Sequence, residues 1–274
     1  MTDRYAVVGN PIAHSKSPLI HAAFARQTGQ DLTYDRILAP LDGFRATVDE
    51  FRAAGGCGLN VTLPFKLEAF DYAPERTERA QAAGAVNTLA FDGTRCVGDN
   101  TDGEGLTRDL EKNLGAVLGD ARILLLGAGG AAQGVILPLL ARRPQALVIA
   151  NRTVAKAEQL ASQFAAHGAV RGSSFAGLAG SMFDVVINAT SASVEGAAPD
   201  LPRGLYAPGG LAYEMMYGKG ETGFLAQARA DGAGALADGL GMLVEQAAEA
   251  FFVWRGVRPD TAPVLARLRA GETP

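Results

Sequence analysis

The stretch ILLLGAGGAAQGVILPLLA, at residues 123–141, decides the fold of this chain of 274 residues. It is almost entirely apolar and nearly long enough for a membrane-spanning helix. Three glycines within four residues, together with Pro138, would make a poor spanning helix. A buried strand, a glycine turn and a buried helix account for every interruption. We therefore expect an α/β fold in which a strand runs through this turn into a helix, and no membrane partner.

The glycine turn has the G-x-G-x-x-A pattern of a dinucleotide-binding loop and consists of Gly127, Ala128, Gly129, Gly130, Ala131 and Ala132. The first glycine permits the tight turn, and the second lets a pyrophosphate approach the backbone. The small last alanine permits close packing of helix on strand, and the phosphate charge faces the N-terminus of the helix. A glycine turn without a ligand is the alternative. The strand before it and the helix after it favour a dinucleotide site.

The end of the next strand, ALVIA, predicts which dinucleotide binds. NAD-binding domains usually place Asp or Glu there for the ribose 2′-hydroxyl, whereas this chain has Asn151, Arg152 and Thr153. Because arginine pairs with a 2′-phosphate and an acidic residue would repel it, the predicted cofactor is NADP(H). A later strand, FDVVINA, is followed by Thr190 and Ser191 at the edge where ligands bind in such sheets, either as cofactor contacts or as ordinary turn residues.

Short apolar strands alternate with amphipathic helices on both sides of the glycine loop. Such alternation predicts mostly parallel sheets covered by helices, because parallel neighbours need a crossover connection. We expect a first α/β domain at residues 1–102 and a Rossmann-type NADP-binding domain at 103–238. In the first domain, Asp42 is the expected N-cap of a helix at 43–54. A continuous helix at 103–114 is expected to open the second domain.

Composition narrows the functional class. Hydrophobic residues make up 48% of the chain and charged residues 20%, with a formal net charge of -4 and no cluster of Lys and Arg. These values predict a globular protein without a nucleic-acid partner. Cys57 and Cys96 are not spaced as metal ligands, so no metal is expected. The N-terminus, MTDRYAVVGNP, lacks the features of a signal peptide, which favours the cytoplasm.

A second polar feature lies in the first domain, where NVTLPFK at residues 60–66 places Lys66 just after a strand that stops at Pro64. Most lysines are solvated surface groups. An NADP-binding domain beside another α/β domain, however, suggests hydride transfer to a carbonyl in a crevice. That reaction needs a proton donor near the developing alkoxide, which the first domain must supply.

Further segments occur over nearly the whole chain: GNPIAHSKSPLIHAAF (9–24), GAVNT (84–88), GDNTDGEGL (98–106), NATS (188–191), EMMY (214–217) and GLGMLVEQ (239–246). With NVTLPFK, GAGGAA and NRT they stand in the order of the shikimate dehydrogenase family, which the chain resembles. The resemblance implies reversible, NADPH-dependent reduction of 3-dehydroshikimate to shikimate, a step in making aromatic amino acids. It also implies that Lys66 and Asp102 form the catalytic pair, although Asp102 would equally suit a helix N-terminus.

Substrate binding has its own expected residues. Ser15 and Ser17 precede Pro18, a favoured first residue of a helix, so their hydroxyls and free backbone N–H groups would converge on a carboxylate. Ser17 could instead only cap that helix. By resemblance, the remaining substrate contacts are Asn60, Thr62, Asn87, Tyr217 and Gln246, and Met215 and Gly239 lie beside the nicotinamide.

The family pattern also implies that C-terminal helices, at residues 239–274, return to the first domain and bring Gln246 to the substrate. An interhelical hydrogen bond is the alternative role for that glutamine. One departure is Glu214, where the family often carries Asp. Two other functions stay open: a quinate/shikimate dehydrogenase with relaxed use of NAD and NADP, and a non-catalytic NADP-binding sensor. Either a monomer or a homodimer fits the sequence.

Overall fold

The computed structural model describes residues 2–190, 197–218 and 220–273. The chain forms two compact units: Met1–Gly105 with Leu243–Pro274, and Leu106–Met242. Each unit contains a six-stranded sheet. The predicted α/β fold with mostly parallel sheets is confirmed. The first unit is built from both ends of the chain, so the last helices pack with the N-terminal sheet.

The strands of the first unit are β1 (Asp3–Gly9), β2 (Leu32–Leu38), β3 (Gly56–Val61), β4 (Glu75–Arg76), β5 (Thr88–Asp92) and β6 (Arg95–Asp99). Their order in the sheet is β2-β1-β3-β5-β6-β4. β1 pairs in parallel with β2 and β3. β5 runs antiparallel to β3 on one side and to β6, with which it forms a hairpin, on the other. The carboxyl ends of β1, β2 and β3 therefore meet at one edge of the sheet.

The helices in the N-terminal part of this unit are α1 (Ser17–Thr28), α2 (Phe44–Ala53), α3 (Lys66–Tyr72), α4 (Glu78–Ala83) and α5 (Asp102–Arg108). The core under α2 and α3 contains Phe44 and Phe65, whose rings stack with their centroids 5.2 Å apart. Phe65 is completely buried. Since Lys66 follows it directly, the core fixes the start of α3 at the sheet edge.

Two helix predictions need correction. Asp42 is not the N-cap of α2: that position belongs to Gly43, and the structure shows no side-chain capping bond there. The predicted helix at 103–114 is regular only to the end of α5 and continues as a π-helix at Asp109–Asn113. The carboxylate of Asp109 is completely buried and accepts a hydrogen bond of 2.6 Å from the hydroxyl of Tyr213, a long-range contact that local sequence does not reveal.

The second unit contains the strands β7 (Arg122–Leu126), β8 (Ala146–Ala150), β9 (Val170–Ser173), β10 (Phe183–Asn188), β11 (Tyr206–Glu214) and β12 (Ala235–Asp238). All pairs are parallel, in the order β12-β11-β10-β7-β8-β9. Its helices are α6 (Gly130–Ala141), α7 (Val154–Phe164) and α8 (Gly223–Ala230), and the chain ends with α9 (Leu240–Arg255) and α10 (Ala262–Arg269). In this doubly wound sheet the ligand edge is the one where the strands end.

The apolar stretch that dominates the sequence thus forms β7, the glycine turn and α6. In the parts of the chain that the structure describes, no helix combines the length and apolar character needed to cross a membrane. Among those same residues, no three or more His, Cys, Asp and Glu side chains are grouped so that they could hold a metal ion.

Candidate active site

Lys66 and Asp102 are brought together in the first unit. The Nζ atom of Lys66 lies 2.5 Å from Oδ2 of Asp102, and the two side chains are 28% and 19% exposed. Lys66 is the first residue of α3 and Asp102 is the first residue of α5. The carboxylate therefore stands at a helix N-terminus and forms an ion pair at the same time, and its role in catalysis stays a prediction. An ammonium held in this way has one face paired and the rest open to a ligand.

Asn87 fixes the other oxygen of Asp102. Its Nδ2 donates to Oδ1 of Asp102 at 2.8 Å and to the hydroxyl of Thr101 at 3.0 Å. Its Oδ1 accepts a hydrogen bond of 2.8 Å from the backbone N–H of Thr101. Because one carboxylate oxygen is bound by Lys66 and the other by Asn87, the plane of the carboxylate is defined.

Asn60 extends this network away from the pair. Its Oδ1 accepts from the hydroxyl of Tyr34 at 2.7 Å, and its Nδ2 donates to Thr88 Oγ1 at 3.1 Å and to the backbone oxygen of Asn87 at 3.3 Å. Asn60 is only 6% exposed and Asn87 only 3%. Both amides thus bond to protein groups, and their predicted contact with a substrate stays a prediction.

Ser15 and Ser17 lie at the start of α1. The hydroxyl of Ser15 donates to that of Ser17 at 3.2 Å, and Nε of Arg36 donates to the backbone oxygen of Ser15 at 3.0 Å. The N-cap position of α1 belongs to Lys16 and has no side-chain capping bond, so capping is not the role of Ser17. Two hydroxyls beside a helix N-terminus and nearby cations suit an anionic group.

Thr62 and Gln246 complete the predicted set in this unit. Thr62 is half-buried just beyond β3. A Cβ at Gly9 would lie only 2.5 Å from Cγ2 of Thr62, so the close contact of the two residues requires glycine at position 9. Gln246 lies on α9, and its Oε1 accepts from the hydroxyl of Thr101 at 3.4 Å. A Cβ at Gly105 would lie 2.6 Å from Cβ of Gln246, so glycine permits this close approach of the two helices.

The glycine loop of the second unit fits a pyrophosphate. Gly127 has φ of 107°, and a Cβ there would lie 3.1 Å from the backbone oxygen of Ala189, so the turn requires glycine. A Cβ at Gly129 or Gly130 would instead meet no atom within 4 Å, which means that open space adjoins the start of α6. Backbone N–H groups at this helix N-terminus are placed to receive phosphate oxygens. Exposed Ala131 continues the loop, and Ala128 is half-buried within it.

The residues beyond β8 lie at the same edge. Asn151 Nδ2 donates to the backbone oxygen of Thr153 at 3.0 Å, and this bond closes the turn that carries Arg152. Arg152 and Thr153 are exposed. A guanidinium presented on a short, hydrogen-bonded turn can bind a phosphate through two parallel bonds. The arrangement fits NADP(H) better than NAD, as expected from the residue types.

The ends of β10 and β11 carry the other predicted cofactor residues. Thr190 donates from both its backbone N–H and its hydroxyl to Oδ1 of Asn188, at 3.1 and 2.7 Å, while Ser191 lies outside the described residues. Gly239 donates its N–H to the backbone oxygen of Met216 at 3.0 Å, which holds the segment after β11. Met215 and Tyr217 are half-buried there, and burial raises the pKa of Tyr217.

Sequence reasoning missed several residues that hold the site together. Tyr34 and Arg36 stand two positions apart on β2 and contact Asn60 and the Ser15 backbone. Alternation along LTYDRIL marks such a strand but does not show which neighbours its polar side chains meet. Arg79 was also missed: it bonds Asp99, which receives the backbone N–H of Asn100 and so fixes the segment leading to Asp102.

The second unit has a parallel sheet with a glycine loop suited to a pyrophosphate, and the first unit has a lysine–carboxylate pair. Together these features define the class of dinucleotide-dependent oxidoreductases. Family models for the shikimate dehydrogenase substrate-binding domain, shikimate/quinate 5-dehydrogenase and the shikimate 5′-dehydrogenase C-terminal domain match residues 7–89, 109–195 and 239–269. The chain belongs to the shikimate dehydrogenase family, as the sequence motifs predicted.

Individual relatives agree with this assignment. Shikimate dehydrogenase (NADP(+)) of Aromatoleum aromaticum is 64% identical over 270 residues, which cover 97% of each chain. An Ael1 enzyme from Pseudomonas putida shares 54% identity and superposes with a TM-score of 0.93 over 97% of this chain and 98% of its own. Shikimate 5-dehydrogenase of Thermus thermophilus, solved with NADP(H) and shikimate, shares 32% identity with a TM-score of 0.83 over 98% and 99%.

Proposed function

We propose that this chain catalyses the reversible, NADP-dependent reduction of 3-dehydroshikimate to shikimate in aromatic amino acid biosynthesis. The observation that carries the proposal is the contact of 2.5 Å between Lys66 and Asp102. Full-length relatives with 64% and 62% identity are NADP-dependent shikimate dehydrogenases, which supports the same substrate and cofactor.

Lys66 is the proton donor in this proposal. As the substrate carbonyl becomes an alkoxide, the ammonium stabilises the negative charge and then delivers a proton to the oxygen. In the reverse direction, the neutral amine accepts the proton of the hydroxyl. Asp102 orients the lysine, and Asn87 holds Asp102 in the required plane.

NADPH, when bound, supplies the hydride. Gly127, Ala128, Gly129, Gly130 and Ala131 would hold its pyrophosphate, and Asn151, Arg152 and Thr153 its 2′-phosphate. Thr190, Met215 and Gly239 would surround the nicotinamide end. The open space beside the glycine loop and the exposed guanidinium support these assignments.

Substrate recognition is assigned to the first unit and to Tyr217. Ser15 and Ser17 would bind the carboxylate, and Arg36 adds positive charge beside them. Thr62, Gln246 and Tyr217 would bind the hydroxyls. Asn60 and Asn87 would contribute contacts through the network that they already share.

The functional division that we propose is substrate binding and catalysis at residues 1–102, NADP binding at 103–238 and supporting C-terminal helices at 239–274. We also infer that the protein acts in the cytoplasm as a monomer or homodimer. Size-exclusion chromatography against standards of known mass would test the oligomeric state.

Initial rates with shikimate and quinate, each with NADP and NAD, test the function. We expect the highest kcat/KM for shikimate with NADP. Comparable efficiency on quinate with NAD would favour a quinate/shikimate dehydrogenase of relaxed cofactor choice, an alternative that the matched shikimate/quinate family model keeps open. Binding of NADPH without turnover of either acid would favour a sensor.

A further inference from the structure

Glu214 is a carboxylate that the proposed reaction does not use. It is the last residue of β11 and has no exposed surface. Its Oε2 accepts hydrogen bonds from Asn188 Nδ2 at 2.9 Å and from the hydroxyl of Thr222 at 3.1 Å. Its Oε1 accepts from the backbone N–H of Met216 at 3.2 Å. A buried carboxylate is costly unless such donors surround it, so its position in the core requires an explanation.

The partners of Glu214 connect three elements of the second unit. Asn188 ends β10, and its Oδ1 receives both donors of Thr190. Thr222 is the N-cap of α8 and accepts from the backbone N–H of Leu225 at 3.3 Å. Glu214 therefore joins the ends of two neighbouring strands to the start of a helix.

The segment that leaves β11 is held from two sides. The backbone N–H of Met216 donates to Glu214, and the backbone oxygen of Met216 accepts from the N–H of Gly239. A Cβ at Gly239 would lie 2.1 Å from the backbone oxygen of Met215, so this approach requires glycine. The segment 215–217 carries two residues assigned above to nicotinamide and substrate.

We propose that Glu214 is a positioning residue. By accepting the backbone N–H of Met216, it holds the segment 215–217 in the position that hydride transfer requires. The inference rests on the proposed function, because that function gives the segment its role. The three contacts described are all donors, so a side chain with two acceptor oxygens fits them. An amide supplies one acceptor and would turn its own N–H groups toward Asn188 and Thr222 or toward Met216.

Glu214→Gln tests whether the site requires a side chain with two acceptor oxygens. With one strand end displaced, we expect kcat to fall about tenfold or more, since misplacement by about 1 Å can cost about a hundredfold in rate. The Kd of NADPH, measured by the fluorescence of the nicotinamide, should change by less than about threefold, because the phosphate contacts lie elsewhere. The primary isotope effect with 4-deuterated cofactor should increase, a change that general destabilisation does not produce. Glu221→Gln, at an exposed carboxylate paired with Arg229, is the matched control and should retain wild-type rates.

The double variant Glu214→Gln with Asn188→Asp is the decisive measurement. It exchanges amide and carboxylate between the two positions, so the new amide can donate to the new carboxylate while its oxygen still accepts from Met216. Asn188→Asp alone would place two buried carboxylates against each other. We expect each single variant to lose turnover and the double variant to recover to within about fivefold of wild type, the standard signature of a coupled pair.

Wild-type rates in Glu214→Gln, or a double variant no better than its worse parent, would overturn the inference. If Glu214→Gln does not fold, a folded and active double variant supports the pairing, and an unfolded one contradicts it. Wild-type turnover is measured first. Its absence would defeat the proposed function itself, whereas a normal wild type with unaffected variants defeats only the role of Glu214.

Discussion

The candidate catalytic residues of the first unit bond to one another, whereas several candidate cofactor residues of the second unit, among them Gly129, Gly130 and Arg152, are exposed. Lys66, Asp102, Asn87 and Asn60 form a continuous hydrogen-bonded network. Around the glycine loop and Arg152, by contrast, most residues are exposed. The first arrangement is held by hydrogen bonds among its own side chains, whereas the second presents exposed groups at its edge. The two regions should therefore respond differently to substitution.

Substitution in the first unit should change the chemical step or the stability of the fold, because each side chain supports others. Substitution at the exposed edge of the second unit should change cofactor affinity alone.

Lys66→Met should lower kcat by about a thousandfold, within the range of about 10² to 10⁴ typical of a lost general acid. Methionine matches the side chain of lysine up to its Cε and removes the ammonium with its proton and charge. Steady-state rates of 3-dehydroshikimate reduction measure the loss. Lys112→Met, at an exposed lysine, is the control and should keep wild-type kcat. Turnover of Lys66→Met within about threefold of wild type would show that the pair with Asp102 is only structural.

Arg79→Met should lower the free energy of unfolding by about 3–5 kcal/mol, the typical result of breaking a buried ion pair. The guanidinium lies 2.5 Å from Asp99 and 2.8 Å from Glu249. Burial raises the pKa of Asp99 and of Glu249, but hydrogen bonds and nearby arginine charge outweigh it, so both pKa values lie below their ordinary range. Removing Arg79 leaves Asp99 without its bidentate partner. Urea titration measures the change.

The exposed pair of Arg95 and Glu75 provides the control for this experiment. Arg95→Met should leave the urea midpoint nearly unchanged, because exposed ion pairs contribute little. Equal destabilisation by both arginine variants would contradict the importance of burial. Since Arg79 also fixes the segment before Asp102, we expect its variant to lose some kcat even where it remains folded.

Arg152→Ala should raise KM for NADPH by about 10- to 150-fold, corresponding to the roughly 1.5–3 kcal/mol of a charge-assisted contact. The KM for NADH should stay nearly constant, because NADH has no 2′-phosphate. Melting temperature should not change, since Arg152 is exposed. Arg203→Ala, at an exposed arginine before β11, is the control and should preserve the preference for NADPH. An equal loss for both cofactors would exclude the assigned role.

Local sequence predicted those parts of the molecule whose pattern is itself local. The apolar run, glycine turn and second apolar run identified β7 and α6. Lys66 and Asp102 are 36 positions apart, and only the resemblance to a family linked them. Hydrophobic periodicity alone contains no information about that distance.

The rest depends on tertiary contacts that no local pattern specifies. Asn60 and Asn87 look alike in the sequence as candidate ligands of a polyol, yet in the fold their amides bond to protein groups. The π-helix after α5 coincides with the buried bond from Tyr213 to Asp109, across 104 positions. Arg36 is exposed on β2 and also donates to the backbone oxygen of Ser15, a contact that the strand pattern does not reveal.

The buried side chain of His21 should make the stability of the first unit depend on pH, whereas an exposed histidine should not. It is buried in α1, and its ring stacks on that of Tyr34 with centroids 4.1 Å apart. Among the described residues, its Nε2 has no hydrogen-bond partner. Burial lowers the pKa of His21 to about 3, although the neighbouring Asn60 side chain acts in the opposite direction. The folded protein therefore keeps this imidazole neutral at pH values where the unfolded chain protonates it.

The free energy of unfolding should therefore decrease as the pH is lowered. A histidine near pKa 6.5 when unfolded and about 3 when folded contributes full stability above pH 6.5, and this contribution falls as the pH drops toward 3. The loss approaches about 1.4 kcal/mol per pH unit, or about 2 kcal/mol between pH 6.5 and 5. Urea titrations at pH 7, 6 and 5 should therefore show a shallower decline for His21→Phe than for wild type. His167→Gln, at an exposed histidine of the second unit, should retain the wild-type slope. Identical slopes for His21→Phe and wild type would mean that the buried imidazole accepts its proton as readily in the fold as in water.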